Sequence, residues 1–497
     1  MDSVNSTELL RKGSNMKKSL TYVAILAFFG VAIVGCTAFT KGYSNNPYGA
    51  TSSDAPSLFK GSEGAFDEFM EGFPSQISSL WGQAVTGASS QFRGYYVYQT
   101  SAQDYSNDWL TAYTNVLYNL RLTENQAKAG GQYNLEGAAL VLEGLQMGTV
   151  TALWGSVPYS QAAEPSVTTT PKFDPQLQVY SEVQTTLDSG IALLTKYSAT
   201  LPADIFSSQG NASEWIAAGY TAKARYEMQA ARHDGYTATE LNNVINWAKQ
   251  GVIATDGSQD FMFMHSGGVY NGDMNLWYSF ANYDRPGYVG AAGNFPAPMA
   301  LALSSTDSLT NDSGWVNFYY DSTTGYSDLN YGTSYTPAAF TGTSQFPIIR
   351  ASEGNLLIAE AYARLNDLPD ALTYLNNARE YDDNVYGDKS KPYSITDPQV
   401  KTQSAMLQTI FNAEYLNLFP EVELFNFLRR VDYDVKYDTS SGGTPVALTP
   451  TNGNQFPQRL FYPTNELTAN PNTPNQGASD LYKPTAVNSV ADPMLPK

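Results

Sequence analysis

The chain carries a single cysteine, Cys36, and that cysteine closes an apolar run. No internal disulfide and no thiolate metal site is open to such a chain, so the body that follows must be held together by its core alone. The run has its own physical meaning. Lys17 and Lys18 precede an apolar stretch from Leu20 to Val34, broken by Thr21, Tyr22 and Gly30, that ends in Ile33-Val34-Gly35-Cys36. At about fifteen residues it falls short of the roughly 20 needed to cross a bilayer and suits the hydrophobic region of a secretory signal. Its ending matches the bacterial lipobox, in which small residues admit the peptidase before a cysteine that becomes diacylated. Residues 1–35 are therefore expected to be a lipoprotein signal peptide, starting at Met1 or Met16. Cys36 is expected to be the lipidated, palmitate-bearing anchor, and residues 36–62, rich in Ser, Gly, Asn and Pro, a flexible tether.

The rest of the 497-residue chain is long enough for one large domain or roughly two to three ordinary ones. No second apolar run of spanning length follows Cys36, which implies a globule tethered by lipid alone. A net charge of −19 with only 28 Lys and Arg excludes nucleic acid as a partner, because phosphate contacts need clustered cations. The 35 Tyr, 7 Trp and 23 Phe favour carbohydrate or peptide contact only modestly, since most aromatics serve a core.

Helical spacing dominates much of the chain. Apolar residues recur every three to four positions in Trp109–Leu120, Ala138–Leu153 and Val179–Leu194, and further helices are expected over Trp215–Ala231 and Asn243–Val252. Between about residues 255 and 345 the pattern gives way to Gly, Ser, Asn, Tyr and Asp, which predicts a long loop insertion. Regularity returns at Glu353. Ala359, Tyr362, Ala371, Leu375 and Ala378 alternate small and large residues as a tetratricopeptide helix pair does, with Asn366-Asp367 at the turn. A last pair, Thr402–Asn417 and Glu421–Arg430, precedes an irregular tail from Asp432.

Nothing along the chain reads as catalysis. His233 and His265 are the only histidines, so a histidine-rich metal site is excluded, and no nucleophile elbow, phosphate loop or dinucleotide turn occurs in context. Carboxylate pairing for glycoside hydrolysis stays open among 47 acidic residues. Glu143, Glu353 and Glu360 lie on predicted helices, where a structural role is expected.

Six segments in order carry a resemblance to a known family. Trp154-Gly155-Ser156-Val157-Pro158-Tyr159, then Pro171-Lys172-Phe173-Asp174 with Val179-Tyr180, resemble two conserved segments of the SusD/RagB outer-membrane lipoproteins. Trp215 with Ala222, Ala224 and Arg225 resembles the third helix pair of that family, Ala351-Ser352-Glu353 through Glu360-Ala361 its fourth, and Phe425–Arg430 its arginine-ended helix. Arg459-Leu460-Phe461-Tyr462-Pro463 with Glu466 and Asn470 is similar to its C-terminal signature. Ser156 stands where the family has Asp, Phe425 and Phe427 where it often has Trp, and its aspartate-proline-arginine segment is missing near Ser305–Thr310.

The resemblance implies a mostly α fold of about four tetratricopeptide-like hairpins supporting a loop-rich ligand-binding portion, as one SusD-like domain over residues 63–497. It also implies a non-enzymatic, cell-surface protein of the outer membrane that needs no cofactor and hands oligosaccharide to a TonB-dependent, SusC-like transporter. A RagB-like peptide binder and an anchored glycoside hydrolase are the alternatives. Trp109, Trp154, Trp215 and Trp247 fall at core positions. Ligand contact is expected from aromatics in irregular sequence, Trp81, Trp277 and Trp315, and from Tyr278, Tyr283 and Arg285 beside Trp277. Asn275, Asn282 and Asp284 there suit sugar hydroxyls.

Overall fold

A computed structural model describes residues 53–202, 204–268, 273–439 and 444–495. The segment expected to be a signal peptide, Cys36 and the expected tether as far as residue 52 lie outside the described residues. Helix α1 (Ala55–Glu71) begins inside the expected tether, which is thereby shortened. Asp54 caps it by accepting the Ser57 N–H at 3.0 Å, and Pro56 occupies its first turn. This start signal is hidden among small polar residues when composition alone is read.

The chain continues through α2 (Phe73–Trp81), the short strand β1 (Thr86–Gly87) and α3 (Ser90–Tyr96). Helix α4 (Ser106–Leu110) passes through a π-wound stretch, Thr111–Leu117, into α5 (Tyr118–Ala129). Then come α6 (Tyr133–Trp154), α7 (Gln176–Lys196), α8 (Ala212–Ala231) and α9 (Ala238–Ala248). Each packs on its successor, and α9 leans on α13 (Ala351–Arg364), far along the chain, across the segment described next. Helix α6 is buried along most of its length, as a helix walled in on all sides must be. Glycine makes that crowding possible: a Cβ on Gly148 would stand 2.2 Å from the Tyr226 ring, whose hydroxyl donates to the Leu145 carbonyl at 2.7 Å.

The expected long loop is better ordered than its composition suggests. It holds β2 (Phe261–Phe263), α10 (Leu276–Ser279), β3 (Val289–Gly290), α11 (Pro296–Thr306) and α12 (Ser313–Tyr319). Strand β4 (Phe346–Ile349) pairs antiparallel with β2, Phe263 opposite Phe346, and so zips the two ends of the insertion together. Helix α13 and α14 (Leu368–Tyr386) form the expected hairpin. Asn366 at its turn takes φ 61°, which Asn tolerates, and Asp367 caps α14. Helices α15 (Gln403–Asn417) and α16 (Glu423–Arg430) follow, then paired β5 (Lys436–Tyr437) and β6 (Val446–Ala447), and α17 (Thr464–Ala469).

Residues Asp54–Lys497 form one compact unit, and no helix among the described residues is long and apolar enough to cross a membrane. The irregular tail belongs to this body. Leu460 N–H donates to the Leu153 carbonyl at 2.9 Å and the Trp154 indole to the Phe461 carbonyl at 2.7 Å, so the tail locks the end of α6.

Candidate functional site

The residues that carry the family-like motifs are structural. Asp174 accepts the N–H groups of Tyr159 and Ser160 at 3.0 and 2.7 Å, the Tyr462 hydroxyl donates to the Ser156 carbonyl at 2.6 Å, and Asn470 donates to the Pro171 carbonyl at 2.8 Å. The first, second and last motifs thus fasten to one another. Arg225 grips Glu353 with two bonds of 2.6 Å, and Arg430 grips Glu360 at 2.5 and 2.6 Å, with Arg364 donating to the same carboxylate. Burial works to raise the Glu360 carboxyl, yet the two guanidinium groups overcome it and hold it at about 2. Glu143 accepts the Tyr159 hydroxyl at 2.9 Å and meets Arg121 at 3.4 Å. All three glutamates are buried and engaged.

The three tryptophans expected to stack on ligand offer no open face. Trp277 is 1% exposed, its indole N–H donates to Ser75 Oγ at 3.0 Å, and its ring packs beside Phe340 and Phe419. Trp81 is fully buried, donating to the Tyr95 carbonyl at 3.1 Å with Phe425 edge-on at 5.0 Å. Trp315 packs on Tyr319 and Tyr320. The reason is common to all: an irregular backbone still needs apolar anchors, and large rings supply them. Trp109, Trp154 and Trp215 are buried as expected, while Trp247 is only half-buried, with Lys223 Nζ 4.1 Å above its ring.

What the loop does present is tyrosine. Asn275 caps α10 by accepting the Tyr278 N–H at 3.0 Å, and a π-wound turn, Phe280–Asp284, carries the chain outward. Pairing of β1 with β3 and a 2.8 Å bond from Ser89 Oγ to the Gly287 carbonyl pin its far side, and Phe280 and Tyr288 tuck against Phe92. Tyr283 is left 55% exposed, the one exposed aromatic ring among the described residues. The Tyr278 ring stands edge-on to it at 6.1 Å, with Tyr331 a further 6.4 Å from Tyr278. Arg285, Asn282 and Asp284 are exposed alongside. Asn275, in contrast, is buried and spent on the cap.

A second feature escapes sequence analysis except for Trp315. Helices α11, α12, α14 and α15 and strand β5 enclose a cleft of about 450 Å³. Asp312, Asp382 and Asp388 meet in it, and burial, reinforced by neighbouring carboxylates, raises them to about 7, 8 and 9. Trp315 Nε1, Asp382 Oδ1, Asp388 Oδ2, Gln399 Oε1 and Asn417 Oδ1, all lining residues, are buried without a hydrogen-bond partner. Unpaired donors and acceptors side by side suit water or a hydroxyl-rich guest. The lining is scattered over residues 303–445, so no spacing announces it.

Comparison with known proteins agrees with this architecture. A family model described as starch-binding and associating with the outer membrane, of the SusD-like kind, matches residues 64–463. Among solved structures, a SusD/RagB family protein from Bacteroides thetaiotaomicron VPI-5482 superposes with TM-score 0.63 at 20% identity, over 88% of this chain and all of that one. A chitin-binding SusD homolog from Flavobacterium johnsoniae gives 0.60 at 17% identity, again over 88% and 100%. A SusD homolog from Bacteroides fragilis NCTC 9343 gives 0.62 at 14%, with the same coverage. No curated protein matches the chain in sequence.

Proposed function

The chain belongs to the SusD-like family of starch-binding proteins associated with the outer membrane, and from that premise we propose that it captures an oligosaccharide at the cell surface and delivers it uncut to a TonB-dependent, SusC-like transporter. The observation that carries this reading is the exposed Tyr283, edge-on to the half-buried Tyr278, on a loop whose other aromatics are anchored inward. A pyranose ring has an apolar face of C–H groups and a rim of hydroxyls. Tyrosine offers a matching flat face and a polar tip, and Arg285, Asn282 and Asp284 supply donors and acceptors for the rim. Anchoring falls to Cys36, which lies before the described residues.

Non-enzymatic binding is part of the proposal. Glu143, Glu353 and Glu360, the helical acids open to a hydrolytic role in the sequence, are each engaged by arginine inside the body. The chitin-binding relative supports a glycan over a peptide. Titration of the protein with starch-derived and chitin-derived oligosaccharides, and with peptides, followed by chromatography of the recovered ligand, tests the class. Saturable binding of a glycan recovered at full length is expected. Binding of peptides alone, or recovery of shortened sugars, would overturn it.

A further inference from the structure

Asp67 and Glu71 stand one turn apart at the end of α1, where Glu68 adds a third acid and the last turn holds no basic residue. A helix C-terminus is the negative end of the backbone dipole, so these carboxylates sit where the helix itself disfavours them. Both are buried, at 4% and 0% exposure. His265, from the segment after β2, closes the group with Nε2 2.8 Å from Glu71 Oε2. One donor atom from each of the three lies within 4.8 Å of the others.

Several other buried carboxylates of this protein have arginine partners: Glu353 has Arg225, Glu360 has Arg364 and Arg430, and Glu421 has Arg350. Among the described residues Asp67 and Glu71 have none, and Glu71 has His265 as its one ion-pair partner there. Asp67 Oδ1 and His265 Nδ1 are buried with no hydrogen-bond partner. Two carboxylates out of water need a compensating cation or a proton.

We propose that Asp67, Glu71 and His265 hold a divalent transition-metal ion of the Zn2+ or Mn2+ class. Two carboxylates and one imidazole suit such ions, with water free to complete the shell, whereas Ca2+ prefers about 6–8 oxygen ligands. Paired i,i+4 positions on one helix supply two ligands already on the same face. The ion has a structural consequence. Glu71 Oε1 accepts the Leu276 N–H at 2.9 Å, so the site ties the end of α1 to the first residue of α10, the base of the tyrosine-bearing loop. This inference stands whatever ligand that loop binds.

The test uses the full mature protein without a histidine tag. Elemental analysis after purification free of chelator is expected to find one equivalent of transition metal. EDTA-stripped protein is expected to rebind Zn2+ or Mn2+ with unit stoichiometry in calorimetry, and stripping is expected to lower Tm and speed hydrogen exchange at Leu276–Tyr278. Asp67→Asn, which keeps the shape and gives up the charge, and His265→Gln are each expected to abolish the binding. The proposal is overturned if stripped wild type gives neither binding heat nor a Tm shift with Zn2+ and Mn2+. Binding that survives both substitutions, or that only Ca2+ produces, overturns it equally.

Discussion

At the level of single residues, type and neighbourhood tell different stories. Cys36, the buried Trp154 and the helical glutamates read from the sequence as anchor, core and structural acids, and the last two are confirmed in place by the Phe461 carbonyl and by arginine. Trp277 shows where such reading ends. Gly-, Asn- and Tyr-rich surroundings suggest an exposed ring, yet its partners Ser75, Phe340 and Phe419 come from segments no local pattern links to it. Its neighbour Tyr283 carries the exposure. Trp277→Ala is therefore expected to cost about 3 to 5 kcal/mol of stability, as a buried aromatic truncation does. Urea denaturation checks this, and a variant as stable as wild type would contradict the packing described.

At the level of elements, the helices were legible because burial imposes a period, and the cleft was not because it is assembled from several of them. Start signals at Thr237, Asn211 and Thr402 set helix ends locally. The cleft depends on α12 directing its Gly314 and Trp315 N–H groups at Asp388 Oδ1, at 2.7 and 3.0 Å, from across a chain separation of more than 70 residues. Its acids carry a pH signature. Asp312, Asp382 and Asp388 are raised by burial to about 7, 8 and 9, so folding favours their protonated forms. That contribution is complete below the unfolded value of about 4 and is lost as pH rises through the folded values. Asp388→Asn keeps the acceptor for α12 and removes the titration. Compared with wild type, the variant is expected to lose less stability between pH 5 and pH 9 in thermal melts. Parallel curves would show that the cleft acids are not held neutral.

At the level of the whole molecule, one compact unit from Asp54 onward presents a loop-rich portion on a helical frame, and the N-terminal segment before it carries the proposed anchor. Six motifs were legible in order because they fasten the frame to itself, the tail to the end of α6 above all. The proposed ligand-facing surface was legible only as a region, since which of its aromatics turn outward is decided by contacts with distant segments. Cys36→Ala is expected to give exported protein without lipid label, checked by palmitate incorporation; labelling that persists would contradict the anchor. The proposed role, a carrier that must release its cargo, implies binding in the micromolar to millimolar range, about 4 to 8 kcal/mol. From so low a start, loss of one central contact worth about 2 kcal/mol removes most of the binding. Calorimetric titration of wild type and Tyr283→Ala with the oligosaccharide that wild type binds is the direct measurement. Binding lost or weakened by roughly thirtyfold, at unchanged Tm, is the predicted result; full affinity in the folded variant would remove this loop from the site.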